Sequence, residues 1–371
     1  MPGQWSVPAP PADHEEPSVP GSAARTPTAD TDVVCLGESM VTFLPSRPGR
    51  LADVPAFTRG IGGAESNVAC ALAAAGHRVK WVSRVGSDGF GDHLLDAVAA
   101  YGVDTTDVRR DPVRPTGVYF RTATDRATDV HEVAYYRAGS AASAMSPHTV
   151  PPDGLPGCRI LHLSGITAAL SDDCLDLLRA LTAPRAGRPL VSFDVNHRPG
   201  LWRGRPGGPE VLLELARRCD LVFVGEDEAA EAWDVHGADA VRAALPGPPV
   251  LVVKQGADGA TVYARGEDGT ADTVTTVPGL AVDVVAPVGA GDAFAAGFLS
   301  ATLRGLPVRE RARHGHLMAA AVLTVPGDLT APPGRAHADR LAALDDTAWG
   351  TLRLGPGWTA AAGANEEVRV T

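Results

Sequence analysis

Lysine is nearly missing from this chain of 371 residues, since only Lys80 and Lys254 occur among its 33 basic side chains. The 44 acidic side chains outnumber the basic ones and leave a formal net charge of -11. Proteins that bind nucleic acid through their overall field need clustered Lys and Arg, so this balance argues against a nucleic-acid partner. No apolar run is long enough to span a membrane, and we expect no membrane partner.

Cysteine is also scarce. The five cysteines are odd in number, far apart and never in a C-x-x-C pair. This pattern argues against a disulfide framework or a zinc site and favours free thiols in a reducing compartment. The first residues have neither the basic start nor the apolar stretch of a secretion signal. We therefore expect a cytoplasmic protein.

The composition predicts one large folded unit between two loose ends. The chain is 44% hydrophobic, which is sufficient for a real core. Residues 1–30 are rich in proline and lack apolar periodicity, and we predict a disordered leader there. Residues 351–371 are rich in glycine and alanine, and we predict a flexible C-terminal tail. The folded domain is then 31–350.

Within that domain, short apolar runs alternate with helical segments. The runs Arg159–Leu163, Leu190–Asp194, Leu221–Val224 and Val250–Lys254 are separated by segments of helical pattern. This alternation is typical of βαβ units, so we predict an α/β fold of three αβα layers around a mostly parallel central sheet. Extended pieces at about 41–60 and 115–137 interrupt the rhythm. They suit a small separate β-sheet, a lid over the strand ends.

The strongest local signal is the run Pro287–Phe294, with the sequence PVGAGDAF. Apolar residues at helical spacing follow it, so we predict a helix that begins inside the glycine run. Free backbone N–H groups at Gly289, Ala290 and Gly291 would then bind anionic oxygens. Asp292 would lie in the first turn as an ionised carboxylate that can accept a proton during phosphoryl transfer. The alternative is a tight turn in which Asp292 only favours the helix dipole.

At this point the sequence resembles the ribokinase-like carbohydrate kinases of the PfkB family. GAGDAF at Gly289–Phe294 is similar to the second signature of that family. GGAESN at Gly62–Asn67 and RVGSDGFG at Arg84–Gly91 are similar to the first. The resemblance covers about 31–340 and implies the ribokinase-like version of the predicted fold.

The resemblance also implies a catalytic role for the glycine run and a nucleotide site. In the family the Asp of GAGD is the catalytic base, and the preceding amides form an anion hole, which places these roles on Asp292 and on Gly289, Ala290 and Gly291. ATP with Mg²⁺ supplies the phosphoryl group. The nucleotide contacts implied by the resemblance fall on Asn196, Glu228, Lys254, Gly256, Gly259, Gly289 and Gly291. Glu228 would act on the magnesium indirectly.

Two further segments, Tyr135–Ala141 and Asp194–Trp202, look like those of 2-keto-3-deoxygluconate kinases, which implies an acidic sugar. Two arginines suit a carboxylate, because guanidinium offers paired donors in a planar fork. The sugar contacts implied by the resemblance are Gly63, Asn67, Tyr119, Tyr135, Arg137 and Arg198. Without the resemblance, we would interpret the arginines as surface residues, the tyrosines as ordinary strand residues and Asn67 as a helix cap.

Two positions depart from the family pattern. Gly225 stands where the family has the Asn of its N-x-x-E motif, and Ala286 stands where most members have an Asp. That Asp helps to form a monovalent-cation site in several relatives, so Ala286 argues against potassium activation. Neither change removes the base or the anion hole.

We therefore expect an ATP-dependent kinase that phosphorylates the terminal primary hydroxyl of a 2-keto-3-deoxy sugar acid, with 2-keto-3-deoxygluconate as the leading candidate. One alternative is a kinase of a neutral sugar such as fructose or ribose. An alternative of another class is a sugar- or nucleotide-binding regulator with weak catalysis. A homodimer through the lid strands remains open, because an exposed sheet edge can pair.

Overall fold

The strands and helices follow the predicted alternation closely. The computed structural model describes residues 30–47, 49–122, 132–205, 207–266, 269 and 271–360. Its strands are β1 (Thr31–Leu36), β2 (Met40–Pro45), β3 (Phe57–Gly62), β4 (Val79–Gly86), β5 (Val108–Asp111), β6 (Val118–Arg121), β7 (Val133–Tyr136), β8 (Cys158–Ser164), β9 (Leu190–Asp194), β10 (Leu221–Gly225), β11 (Val250–Lys254), β12 (Gly259–Arg265), β13 (Asp272–Pro278), β14 (Ala281–Val282) and β15 (Arg353–Leu354). Its helices are α1 (Ala64–Ala74), α2 (Gly89–Ala99), α3 (Gly165–Ala168), α4 (Asp172–Thr182), α5 (Pro199–Trp202), α6 (Glu210–Ala216), α7 (Glu226–Trp233), α8 (Ala238–Ala244), α9 (Ala290–Leu303), α10 (Val308–Leu323), α11 (Arg335–Ala342) and α12 (Asp346–Gly350).

The central sheet has the strand order β13-β12-β11-β10-β9-β8-β1-β4-β5. Every neighbouring pair from β5 to β11 is parallel, and only the β11–β12 and β12–β13 pairs are antiparallel. The inner strands are apolar on both faces, and all five residues of β10 are buried. Such strands must be covered on both sides, which confirms the predicted mostly parallel sheet.

Helices cover both faces of this sheet and complete three layers. One face packs its apolar side chains, Trp81 and Phe223 among them, against α1, α2, α9, α10 and α11. The other face packs against α4, α6 and α8 through residues such as Phe193 and Leu212. Alternate residues along β1 serve the two cores, since Val33 and Val34 belong to different ones. Of the helices in the described residues, none combines the length and apolar content needed to cross a bilayer.

The predicted lid is present as a second, four-stranded sheet of order β3-β2-β6-β7, called the lid below. Stacked and edge-on rings of Phe43, Phe57 and Phe120 pack on this sheet. The lid strands predicted at about 115–137 fall partly on 123–131, which lies outside the described residues, as do residues 1–29 of the leader predicted for 1–30.

Strand order reverses beside β1, because β4 and β5 lie on one side of it and β8 to β11 on the other. Ligands of open α/β sheets bind at the carboxyl ends of strands at such a point. The buried Glu65 carboxylate of α1 accepts hydrogen bonds there from the Ser164 hydroxyl and the Thr167 hydroxyl at 2.8 and 2.7 Å. It thereby joins α1 to the end of β8.

The C-terminal region differs from the flexible tail predicted for 351–371. Leu352, Leu354 and Trp358 are buried in the same core as α9 and α10, and β15 pairs with β14. These isolated apolar residues sit among glycines, so the sequence carries no periodic signal for them. The packed region therefore extends to residue 360, and 361–371 lies outside the described residues.

Candidate active site

Two clefts meet at the start of α9. The first, the lid cleft, has a volume of about 600 Å³ and is walled by the lid, α3 and α5. The second, the strand-end cleft, has a volume of about 890 Å³ and lies over the ends of β9, β10 and β11. Both volumes are in the usual range for small-molecule sites. Asn196, Arg198, Val288, Gly289 and Asp292 line both clefts. A ligand in each cleft would therefore meet its neighbour at Asp292.

Asp292 lies in the first turn of α9, as predicted. Its Oδ2 accepts a hydrogen bond of 2.9 Å from the Nδ2 of Asn67, which lies one turn into α1. Asn67 was predicted to contact a sugar, and it does line the lid cleft. The bond from its Nδ2 also fixes the orientation of the Asp292 carboxylate, while its buried Oδ1 has no hydrogen-bond partner in the described chain.

The acidity of Asp292 differs from the sequence prediction of a carboxylate held ionised. Burial raises the pKa of the Asp292 carboxyl to about 7, and nearby Asp194 reinforces the rise. The hydrogen bond from Asn67 and the charges of Arg198 and Lys254 oppose it. Desolvation is the largest of these effects, because burial removes the water that would stabilise the charged form. A carboxyl with this pKa can gain and lose a proton near neutral pH.

The glycine turn before α9 requires its glycines. Gly289 has a φ of +79°, and a Cβ there would lie 2.6 Å from the Asp328 carbonyl oxygen. The first N–H groups of a helix have no acceptor within the helix, so those of α9 are free to meet an anion in the strand-end cleft. Gly289, Ala290 and Gly291 all line that cleft, which fits the predicted anion hole.

Lys254 is a partly buried cation beside this turn. Its Nζ lies 3.0 Å from Asp194 Oδ2 and 3.5 Å from where a Cβ on Gly291 would be. Burial lowers the pKa of Lys254, but Asp194 and Glu228 more than offset this and hold it above the ordinary value. Lys254 therefore stays charged at the floor of the strand-end cleft.

The other predicted nucleotide residues divide into two groups. The strand-end cleft is lined by Asn196, Glu228, Lys254, Gly256, Gly289 and Gly291. Gly259 is not among its lining residues in the described chain. It begins β12 with a φ of +122°, and a Cβ there would meet the Val277 carbonyl oxygen at 2.2 Å. Gly259 is thus required by its positive φ and by the close approach of β13, and the prediction that it binds nucleotide is not supported by its position.

Gly225 stands at the position of the family Asn and offers only its backbone for hydrogen bonding. Its N–H donates to Glu228 Oε2 at 2.9 Å at the start of α7. Glu226, Asp227 and Glu228 lie in the first turn of α7 and line the strand-end cleft. Carboxylate oxygens suit Mg²⁺, so these residues would be the ones to hold a magnesium ion that arrives with ATP. No group of three or more His, Cys, Asp and Glu in the described chain could hold a metal by itself.

The structure brings all the predicted sugar contacts around the lid cleft, namely Gly63, Asn67, Tyr119, Tyr135, Arg137 and Arg198. Tyr119 is buried and its ring centroid lies 5.4 Å from that of Tyr135, which is 54% exposed. The two aromatic rings form the lid side of the cleft. Contact with a sugar stays a prediction for each of these residues.

The two arginines have different surroundings. The Arg137 guanidinium forms an ion pair with the buried carboxylate of Glu38, so its charge is already balanced. The Arg198 side chain is 50% exposed, and its Nη1 donates to the His197 carbonyl and lies 3.6 Å from Glu228 Oε1. Arg198 is therefore the more available donor for an anionic ligand.

Sequence reasoning missed Asp328, whose carboxylate lines the lid cleft. It lies in the loop between α10 and α11, where no motif marks it. Its partners are Tyr119 and Arg121, more than 200 positions earlier in the chain. Glu38 was missed for the same reason, since only the folded sheet brings it to Arg137.

Comparison with known proteins gives a consistent result. Residues 30–334 match the family described as pfkB family carbohydrate kinase. The chain is 34% identical over 309 residues to the 2-dehydro-3-deoxygluconokinase of Bacillus subtilis, covering 82% of this chain and 93% of the relative. It is 31% identical to that of Thermoproteus tenax, with 83% and 93% covered. It is also 31% identical to the probable fructokinase-6 of Arabidopsis thaliana, with 72% and 69% covered.

Solved structures with the same fold include a PfkB protein from Polaromonas, with a TM-score of 0.71, 37% identity and 83% and 99% of the two chains covered. An uncharacterised sugar kinase from Pyrococcus horikoshii in complex with ATP has a TM-score of 0.71 and 25% identity, with 82% and 96% covered.

Proposed function

Since the chain belongs to the pfkB family of carbohydrate kinases, we propose that it phosphorylates the terminal primary hydroxyl of a 2-keto-3-deoxy sugar acid with ATP, with 2-keto-3-deoxygluconate as the principal substrate. The observation that carries the proposal is the meeting of two clefts at Asp292. One carboxylate then faces both the sugar hydroxyl and the transferred phosphoryl group. The match over residues 30–334 and the 2-dehydro-3-deoxygluconokinase relatives confirm the family and the class of sugar kinase that the two signatures predict.

In the proposed reaction the sugar lies in the lid cleft and ATP in the strand-end cleft. The sugar hydroxyl oxygen bonds to the γ-phosphorus while the bond from phosphorus to the bridging oxygen of ADP breaks. Asp292, once deprotonated, accepts the hydroxyl proton. The N–H groups of Gly289, Ala290 and Gly291 and the charge of Lys254 stabilise the moving phosphoryl group. Magnesium, when bound with ATP, supplies further neutralisation of phosphate charge.

The lid supports this reaction by excluding water. Tyr119 and Tyr135 cover one side of the lid cleft. A closed cleft strengthens the electrostatic interactions inside it and keeps water from taking the phosphoryl group. A regulator with weak catalysis is not favoured, because Asp292 and the glycine turn are both intact.

The acidic substrate is supported by Arg198 and by the two 2-dehydro-3-deoxygluconokinase relatives. The half-exposed guanidinium lines the lid cleft at its border with the strand-end cleft. It can donate two hydrogen bonds to a carboxylate. The fructokinase relative favours a second candidate, a kinase of a neutral sugar such as fructose.

A coupled assay of ADP release separates the two candidates. We expect 2-keto-3-deoxygluconate or its galactonate isomer to give a kcat/KM at least about 100-fold above those of fructose and ribose, as unpaired polar groups in the site would penalise the wrong sugar. Equal or greater kcat/KM for a neutral sugar would overturn the acidic assignment.

Arg198→Ala tests the origin of this preference. We expect KM for the sugar acid to rise about 10- to 100-fold through loss of charge-assisted hydrogen bonds, with a much smaller change for fructose. Arg203→Ala is the matched control, because Arg203 ends the same short helix and lines neither cleft. Equal effects of Arg198→Ala on both sugars would argue against a carboxylate contact. Arg137→Ala is a less specific test, because it would leave the buried Glu38 carboxylate without its ion-pair partner.

A further inference from the structure

A buried ion pair joins the lid to the body of the molecule. Arg121, the last residue of β6, places its Nη2 2.6 Å from Oδ1 of Asp328. The two side chains are only 5% and 6% exposed. Tyr119, on the same strand, donates its hydroxyl to the other carboxylate oxygen at 3.2 Å. Both oxygens of Asp328 are therefore held by the lid.

The two partners occupy different places relative to the lid cleft. Asp328 and Tyr119 line it, whereas Arg121 is not among its lining residues in the described chain. Arg121 thus lies behind the cleft wall and acts on the cleft through Asp328. The backbone of Asp328 also packs against the catalytic turn, since its carbonyl oxygen would be 2.6 Å from a Cβ on Gly289.

The Arg121–Asp328 pair bears on substrate choice through the charges that line the lid cleft. Two carboxylates, Asp292 and Asp328, line the cleft, and the charge of Arg137 is balanced by Glu38. Burial raises the pKa of Asp328, while the charge of Arg121 and the hydroxyl of Tyr119 oppose the rise. With Arg121 in place, the ionised Asp328 has a countercharge in direct contact. Without it, the ionised form of Asp328 would present an unbalanced negative charge to a sugar carboxylate in the cleft.

We propose that Arg121 is a positioning residue that determines specificity, because it neutralises Asp328 and so allows the lid cleft to accept an anionic sugar. The inference rests on the proposed acidic substrate and deepens it. Arg121 acts through Asp328 and does not touch the sugar. A neutral sugar would gain much less from this neutralisation, because it carries no charge for Asp328 to repel.

The test compares Arg121→Met with the double variant Arg121→Met/Asp328→Asn. Calorimetry measures the dissociation constants of 2-keto-3-deoxygluconate and of ATP for each purified full-length variant. We expect Arg121→Met to weaken sugar-acid binding by about tenfold or more through exposure of one like charge, and to leave ATP binding within about twofold. The double variant should recover most of the lost affinity, since it removes the repelling charge as well.

Arg242→Met is the matched control. Arg242 forms a comparable ion pair with Asp272, at 2.6 Å from Nε to Oδ2, which joins α8 to β13 away from both clefts. Both Met variants should lower the melting temperature, because one leaves the buried Asp328 and the other the partly buried Asp272 without its ion-pair partner. Only Arg121→Met should weaken sugar-acid binding.

Three results would overturn the inference. The first is that Arg121→Met weakens binding of the sugar acid no more than Arg242→Met does. The second is that the double variant binds the sugar acid no more tightly than Arg121→Met does. If Arg121→Met does not fold, Arg121→Lys takes its place. It keeps the positive charge and should keep the affinity for the sugar acid within about threefold of the wild type. A larger loss of affinity in folded Arg121→Lys is the third result. Failure of the proposed function is distinguishable, because it shows in the wild type as preference for a neutral sugar.

Discussion

At the scale of single residues, the proposed reaction depends on how Asp292 is kept ready to accept a proton. Its carboxyl is desolvated, which favours the protonated form, and Asn67 donates a hydrogen bond of 2.9 Å, which favours the charged form. The balance leaves the pKa at about 7. A stronger base results than an exposed aspartate would provide, at the cost of partial protonation near neutrality.

The pH dependence of the reaction should report this pKa. Below about 7 the Asp292 carboxyl is protonated and cannot accept the hydroxyl proton, so activity should fall as pH falls through that value. We expect kcat/KM for the sugar, measured with saturating ATP, to rise with pH along a limb centred near 7. A profile that stays flat from about pH 5.5 to about pH 9 would contradict this role.

Asn67→Ala should move the same limb. The variant loses a donor to the charged carboxylate, so the apparent pKa should rise by about one unit and the limb should shift to higher pH. Ser66→Ala is the control, because Ser66 is the neighbouring buried residue of α1 and bonds to Ser39, away from Asp292. A limb that stays in place in Asn67→Ala would show that Asn67 does not set the acidity of Asp292.

At the scale of elements, the turn that precedes α9 brings the two clefts together. Its geometry requires glycine at 289, where φ is positive and the Asp328 carbonyl leaves no room for a Cβ. The opposite end of the same helix is followed by Gly305, which also has a positive φ of +72° but has no atom of the described chain within 4 Å of a Cβ. Substitutions at Gly289 and Gly305 therefore distinguish the effect of backbone strain from the effect of displacing the turn before α9.

Gly289→Ala should therefore lower kcat by about 10- to 100-fold, since the added Cβ must displace amides that stabilise developing charge. Gly305→Ala should cost about 1 kcal/mol of folding free energy through strain alone and leave kcat unchanged. Steady-state kinetics and thermal unfolding measure both variants. Equal kcat values in the two would contradict the assigned role of the turn.

At the scale of the whole molecule, the central sheet and its two helical layers carry the site at one edge. The core that stabilises α9 and α10 also includes Leu352, Leu354 and Trp358 from the end of the described chain. The packing of α9, which carries Asp292, thus depends on a segment that follows α12.

Deleting 351–371 should lower the free energy of unfolding by more than about 3 kcal/mol, because it removes buried large side chains from that core. Deletion of 361–371 is the control, since it keeps Leu352, Leu354 and Trp358. Chemical denaturation of both truncated chains gives the comparison. Equal stability of the two would show that this segment contributes little.

Much of this architecture could be predicted from sequence, because it follows from local signals. Apolar runs marked β8 to β11, and the glycine run marked the start of α9 and placed Asp292 in its first turn. The contacts that could not be predicted join distant parts of the chain. The Arg121–Asp328 pair spans 207 positions, and the pKa of Asp292 depends on burial that only the folded molecule creates. Trp358 lies in a glycine-rich segment without periodicity, and Gly259 is explained by a neighbouring strand.

The most direct test of the account is the comparison of turnover and ligand binding in Asp292→Asn. The substitution keeps the shape of the side chain and removes the proton acceptor. We expect kcat to fall by about 1,000-fold, within the range for loss of a general base, while the dissociation constants of the sugar acid and ATP stay within about threefold. Turnover close to that of the wild type would contradict the central claim that Asp292 accepts the sugar proton where the two clefts meet.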